Sequence, residues 1–246
     1  ADLSADTSSD RLPDRLPDRL PDPSSDPSTE RAAATAQHAH DAPATVSSSS
    51  RTADLSWPEL REAVRRCTAC GLCRGRTQTV FGIGATDSPW MVVGEAPGAE
   101  EDASGEPFVG QAGRLLDSML GALGLSRERD VFIANVLKCR PPGNRNPAPE
   151  EVRQCQPFLA RQIELLQPRG ILAMGRFAAQ ALLRTDAAIG SLRGRVHRYA
   201  LNGAELPVVV TYHPAYLLRE PLEKARAWAD LCLARERFGP GAPRPR

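Results

Sequence analysis

The chain has 246 residues, 41% hydrophobic and 25% charged, a balance that fits one large or two small globular domains and excludes collagen-like chains and small disulfide scaffolds. Mean hydropathy is −0.36 and no run of 18 apolar residues occurs, so no bilayer-spanning helix and no membrane partner are expected. The net charge of +1 is divided: residues 1–55 hold ten acids and five arginines, and the rest of the chain 20 acids and 26 bases. An acidic segment beside a basic domain is one pattern of nucleic-acid binding, although an imbalance of this size more often only solubilises.

In chain order, the opening ADLSADTSSD carries neither the cationic start nor the apolar stretch of a secretory signal, and a cytoplasmic location is expected. Residues 1–55 contain no Phe, Trp, Tyr or Cys and include RLPDRLPDRLPDP at 11–23. Such a segment buries too little apolar surface to offset its ordering entropy, so 1–55 reads as a disordered Pro/Ser/Ala-rich acidic tail. Its four-residue repeats are too short for a solenoid and read as linker, or as a segment that docks a partner. The domain starts at Ser56, where Ser56-Trp57-Pro58-Glu59 forms a capping box, and runs to 238, leaving 239–246 as a flexible C-terminus.

Within the domain, short apolar runs alternate with helical patterns. Met91–Val93, Val131–Ile133, Ile171–Met174 and Val208–Val210 read as strands, and stretches near 112–124, 149–167, 175–184 and 222–237 as helices. Continuous apolar strands separated by helices predict an α/β fold, a mostly parallel sheet covered on both faces. Such sheets bind ligands outside the carboxyl ends of their strands. The loops that begin at Gly94, Asn135, Gly175 and Tyr212 are therefore where function is expected.

Cys67 and Cys70 form a C-x2-C pair, and Cys73 extends it to C-x2-C-x2-C. Cys139 and Cys155 could complete a four-sulfur site; Cys139 lies in a polar loop between Lys138 and Arg140, where a small apolar thiol has little reason to be. Zinc, iron-sulfur and redox readings are all open on this spacing. Cys232 falls in the apolar periodicity of the last helix and reads as core.

Four ordered blocks, VGEAPGAEED at 93–102, GEPFVGQAGRLLDSML at 105–120, VFIANVLKCRPPGNRNPAPEE at 131–151 and YHPAYLLR at 212–219, resemble the family 4 uracil-DNA glycosylases, the iron-sulfur type. The resemblance runs from about Cys67 to Trp228. It implies a three-layer αβα fold with a central parallel four-stranded sheet, and hydrolysis of the N-glycosidic bond of deoxyuridine in single- or double-stranded DNA to leave an abasic site, the opening step of base excision repair. It also implies a 4Fe-4S cluster held by residues matching Cys67, Cys70, Cys139 and Cys155, with Cys73 outside the set. The basic stretch from Lys138 to Arg145 becomes a candidate DNA-backbone contact, the tail a candidate dock for a repair or replication partner, and a monomer is expected.

The same resemblance gives the other residues roles that the chemistry explains. A uracil inside a duplex must be flipped into a pocket, stacked and read along its Watson-Crick edge. Phe108 would be the stacking platform, and Asn135, with one donor and one acceptor, would pair with uracil O4 and N3–H. Bond cleavage leaves negative charge on the departing base, so a donor aimed at uracil O2 is the useful catalyst; His213 matches that role as a neutral imidazole. Ala96 stands where the best-known branch of the superfamily has a water-orienting aspartate, which leaves Glu95 or Glu101 to orient water or the sugar, with Asn144 as a further polar candidate. Leu217 or Leu218 would fill the gap left by the flipped base, and Arg219 would hold a phosphate.

Three other readings compete. A related branch binds uracil-DNA and is trapped covalently through a histidine in an inserted Lys-Arg-Arg-Ile-His loop, but no such insertion interrupts 136–155, and Arg195-Val196-His197 lies elsewhere. A DNA-binding module without turnover would have no need of Asn135 and His213. A zinc-dependent nucleotide hydrolase built on Glu100, Glu101 and Asp102 lacks a His-rich ligand set.

Overall fold

In the computed structural model, residues 52–201 and 203–239 are described; most of the expected tail and nearly all of the expected C-terminal extension lie outside the described residues. Among the described residues, the helix α1 (Trp57–Arg65) starts one residue after Ser56, whose backbone N–H donates to the Glu59 carboxylate at 2.8 Å. Just ahead of it, the Leu55 carbonyl accepts a 2.8 Å hydrogen bond from Arg161 Nε.

Six strands form one sheet: β1 (Ile83–Gly84), β2 (Trp90–Gly94), β3 (Val131–Asn135), β4 (Gly170–Met174), β5 (Val196–Leu201) and β6 (Ala204–Thr211), in the order β1-β3-β2-β4-β6-β5. The four central strands are parallel, and they are the four apolar runs of the sequence. The two edge strands, β1 and β5, are antiparallel and enlarge the expected four-stranded sheet to six. Neither gives the continuous apolar run of the central strands, because β1 has two residues and β5 (VHRYAL) is broken by His197 and Arg198.

Successive strand residues point to opposite faces, which divides the core in two. Met91, Val93, Phe132, Ala134, Ile171 and Ala173 pack with residues of α1, α4 (Pro149–Leu166), α5 (Arg176–Leu183) and α6 (Ile189–Leu192). Trp90, Val92, Val131, Ile133, Leu172 and Met174 pack with residues of α3 (Gln111–Ala122), α7 (Pro214–Arg219) and α8 (Lys224–Phe238). The result is the three-layer αβα arrangement. One short helix, α2 (Ala99–Ser104), follows β2.

Helix α8 corrects the reading of Cys232, which is exposed. The residues that α8 turns toward the sheet are Ala227, Leu231, Ala234 and Phe238, an i, i+4, i+7, i+11 stripe; Cys232 lies one position off it. Among the described residues, no helix is long and apolar enough to cross a membrane.

Candidate active site and thiol cavity

All four loops that follow the parallel strands open into one cleft of about 800 Å³, outside the carboxyl ends of those strands. Glu95, Ala96, Glu101, Phe108, Asn135, Asn144, His213 and Arg219 all line it. Its floor is formed where β2 and β3 end side by side at Gly94 and Asn135. A Cβ on Gly94 would lie 2.4 Å from Asn135 Oδ1 and 2.6 Å from the Phe108 ring, so the glycine lets the amide and the ring converge over bare backbone. Asn135 is 2% exposed, and its Oδ1 has no hydrogen-bond partner. An unmet buried acceptor costs about 1–3 kcal/mol, which a ligand N–H would recover.

Phe108 is held in a left-handed conformation, φ 56°, which costs a non-glycine residue on the order of 1 kcal/mol. Arg127 fixes it there: Nη2 donates to the Phe108 carbonyl at 2.7 Å and Nη1 to that of Pro107 at 3.2 Å, while Nε is anchored on Asp117 at 2.7 Å. The Phe108 ring lies 5.4 Å from that of His213, with 27° between their planes.

His213 is the N-cap of α7, and its Nδ1 accepts the backbone N–H of Ala215 at 3.1 Å. An imidazole whose Nδ1 accepts must carry its proton on Nε2. Burial, helped by the Arg219 cation and opposed by Glu101, pushes the His213 pKa down to about 4, so at neutral pH the ring is an uncharged donor. Gly175, at φ +91°, would place a Cβ 3.0 Å from the Cβ of His213; lacking one, it lets the β4 loop close against the histidine.

The two candidate carboxylates differ. Glu101 accepts backbone N–H groups from Gly98 (3.0 Å), Val109 (3.1 Å) and Gly110 (3.3 Å), joining the Gly94–Gly98 loop to the segment that carries Phe108. The Glu95 carboxyl accepts no hydrogen bond from any described residue, and burial raises its pKa against the opposing pull of Arg176. Asp102 belongs to neither role; it is buried and accepts the Thr77 N–H.

Around the rim, Asn144 is exposed in a left-handed turn (φ 54°) and its Oδ1 accepts from Arg140 Nε at 2.7 Å. Arg145 is tied to Glu151 through contacts of 2.9 and 2.5 Å. Lys138, the first residue of the basic stretch, is only 1% exposed and faces the interior. Of the two candidate gap-filling leucines, Leu217 is 1% exposed and packs in the core, whereas Leu218 is 42% exposed. Arg176, Tyr212 and Tyr216 also line the cleft and were not singled out by sequence reasoning. Arg176 directly follows Gly175, and Tyr212 precedes His213, so asking what each loop residue offers would have found both. Arg193 stacks on Tyr212 at 4.1 Å and pairs with Asp230 at 2.7 Å, a link across distant segments that leaves no local signal.

On the other side of the Asn135–Cys139 loop, Cys67, Cys70, Cys73, Cys139 and Cys155 line a second, small cavity with Val64, Phe158, Arg76 and Lys138. Burial pushes the Cys70 and Cys139 thiols up, and that of Cys155 up to about 12. Arg76 Nη1 donates to Cys139 Sγ at 3.1 Å, and the backbone N–H of Lys138 faces the Cys155 sulfur. Among the described residues, no three His, Cys, Asp or Glu side chains could share a single metal ion. An all-sulfur set supplied with N–H donors, the half-buried Arg76 and the buried Lys138 suits a metal group of net negative charge.

Comparison with known proteins matches residues 81–232 to the family described as "Uracil DNA glycosylase superfamily". The chain is 43% identical over 190 residues to the type-4 uracil-DNA glycosylase of Pyrobaculum aerophilum, covering 76% of this chain and 95% of that protein. It is 44% identical over 170 residues to the type-4 enzyme of Archaeoglobus fulgidus, covering 68% and 85% of the two chains. It is likewise 44% identical over 181 residues to that of Thermotoga maritima, covering 69% and 92%.

Proposed function

The chain belongs to the uracil-DNA glycosylase superfamily, and we propose that it is a glycosylase that removes uracil from DNA by hydrolysing the N-glycosidic bond, reading the base with Asn135 and stabilising its departure with His213. The observation that carries this reading is the unpaired Oδ1 of Asn135, buried at the floor of the cleft between the Phe108 ring and the strand ends. A flipped uracil stacked on Phe108 offers an N3–H to that oxygen and an O4 to the amide's own N–H. Thymine offers the same edge but adds a methyl group that the pocket must exclude.

Cleavage of the bond places negative charge on uracil O2. The neutral His213 ring, with its proton on Nε2, needs no change of protonation to donate there. Its neutrality also avoids repulsion from the cationic sugar that forms as the bond breaks. Glu95, whose carboxylate accepts no hydrogen bond from any described residue, is the better placed of the two glutamates to orient the attacking water, since Glu101 spends its oxygens on three backbone amides. The exposed Leu218 and Arg219, beside each other on α7, suit the gap left by the base and a flanking phosphate.

The thiol cavity takes a 4Fe-4S cluster in this reading, bound by Cys67, Cys70, Cys139 and Cys155. Its thiolates would fix the Cys139–Cys155 segment to the 67–70 turn and so shape the cleft rim at Asn144 and Arg145. Cys73 lines the same cavity as a fifth thiol.

The test is excision from a labelled oligonucleotide containing one deoxyuridine, scored as alkali-labile breaks, with the protein run on a denaturing gel. Breaks that outnumber protein chains, with an unshifted protein band, are expected. No breaks would overturn the reading, and a shifted band with at most one event per chain would move the protein to the covalently trapped branch.

A further inference from the structure

The mechanism leaves a buried lysine unused. Lys138 is 1% exposed, and its ammonium donates to the backbone carbonyl of Asn135 at 2.8 Å and to Gln162 Oε1 at 2.6 Å. Gln162, 0% exposed, is fixed in turn by donating to the Phe81 carbonyl at 2.9 Å. Both partners of the ammonium are neutral, and none of the described carboxylates pairs with it. A buried cation in such company is costly unless negative charge lies close by. The negative charge within reach is that of the thiol cavity, which the same lysine lines.

The Lys138 backbone meets that cavity on two sides and is anchored on a third. Its backbone N–H points at the Cys155 sulfur, its chain continues directly into Cys139, and its carbonyl accepts the Val80 N–H at 2.8 Å. Its side chain then runs back to the residue at the cleft floor. We propose that Lys138 is a positioning residue that joins the thiol cavity to the base-reading amide: it balances the negative charge of the filled cavity with its ammonium and uses the same ammonium to fix the Asn135 backbone. Asn135 Oδ1 has no hydrogen bond of its own, so its aim depends on where its backbone is held. Filling the cavity therefore sets the geometry of base reading, beyond holding the rim loop. This rests on the glycosylase reading above and adds a residue to it.

The test uses the iron-loaded full chain and two variants, Lys138→Met and Gln162→Leu. Affinity is measured for an oligonucleotide carrying a non-cleavable 2′-fluoro-deoxyuridine and for the same oligonucleotide with a tetrahydrofuran abasic analogue; iron content and visible absorption are measured in parallel. Loss of a charge-assisted hydrogen bond predicts that Lys138→Met weakens uracil-oligonucleotide binding about tenfold while abasic-analogue binding stays within about twofold. The same variant loses iron to a chelator faster than the native chain. Gln162→Leu, which removes one partner of the ammonium and does not itself line the cavity, shifts the uracil-to-abasic ratio about threefold with iron content unchanged. If Lys138→Met does not load iron, the ratio in Gln162→Leu decides alone. A ratio equal to the native one in every loaded variant overturns the proposal. A native chain that excises no uracil would overturn the functional reading instead.

Discussion

The cleft and the thiol cavity are two sites built on the two ends of one short loop, and they are finished to different degrees. In the cleft, the protein itself completes the positioning. Arg127 fixes Phe108, Ala215 selects the His213 tautomer, and Glu101 ties two loops together. What stays open is an acceptor on Asn135 and a carboxylate on Glu95, the groups a base and a water would meet. In the cavity the reverse holds: thiols are crowded together and pushed toward their neutral forms by burial, and a buried lysine has only neutral partners. The first site is organised ahead of its ligand; the second, in the proposed reading, is completed by the cluster.

That contrast predicts that changes in the cleft cost rate without stability, whereas changes in the cavity cost stability first. The largest effect is expected from His213→Ala, which removes a donor to the leaving base and should slow single-turnover excision by about 10²–10³-fold with substrate affinity little changed. The same variant has a second signature. The His213 pKa lies at about 4 against an ordinary imidazole value of 6.5, so the folded state binds fewer protons than the unfolded one between those values. The native chain therefore loses stability as pH falls from 6.5 toward 4, and His213→Ala should flatten that slope in chemical denaturation.

Next comes Cys139→Ser. On the proposed cluster assignment, losing one of its four thiolates should lower the midpoint of thermal unfolding by about 10 °C and abolish the visible absorption of the iron centre. A variant with native stability would erase the distinction between the two sites. Glu95→Gln is expected to slow excision about tenfold. Because burial raises the Glu95 pKa, the native rate should fall on the acid side at a pH above the ordinary carboxylate range, while His213 is still neutral. Persistence of that acid limb in Glu95→Gln would remove Glu95 from the water-orienting role. The smallest effect is expected from Arg127→Met, about threefold in KM, through loosening of the Phe108 platform.

Much of this organisation could be read from the residues. The four parallel strands are continuous apolar runs because both faces of each are covered, and the loops after them carry the site because strand ends in such a sheet converge on one opening. The short pieces were not legible. Strand β1 has two residues, and α6 has four; neither is long enough to develop a period. The placement of Cys232 failed because a helix turn puts adjacent residues 100° apart, and only the contact with the sheet fixes which of them face inward. Lys138 read as a surface cation since lysines are rarely buried, and its partners, Gln162 and the Asn135 carbonyl, are brought to it by the fold. Arg193 and Asp230 were invisible for the same reason: their pairing spans 37 positions in the chain.

The most direct test of the account is the base preference of Asn135→Asp on matched oligonucleotides containing deoxyuridine or deoxycytidine. A protonated or ionised carboxyl at the cleft floor presents a different donor and acceptor pattern, so excision of uracil should fall and its margin over cytosine should shrink. An unchanged margin would contradict the claim that the unpaired amide of Asn135 reads the base.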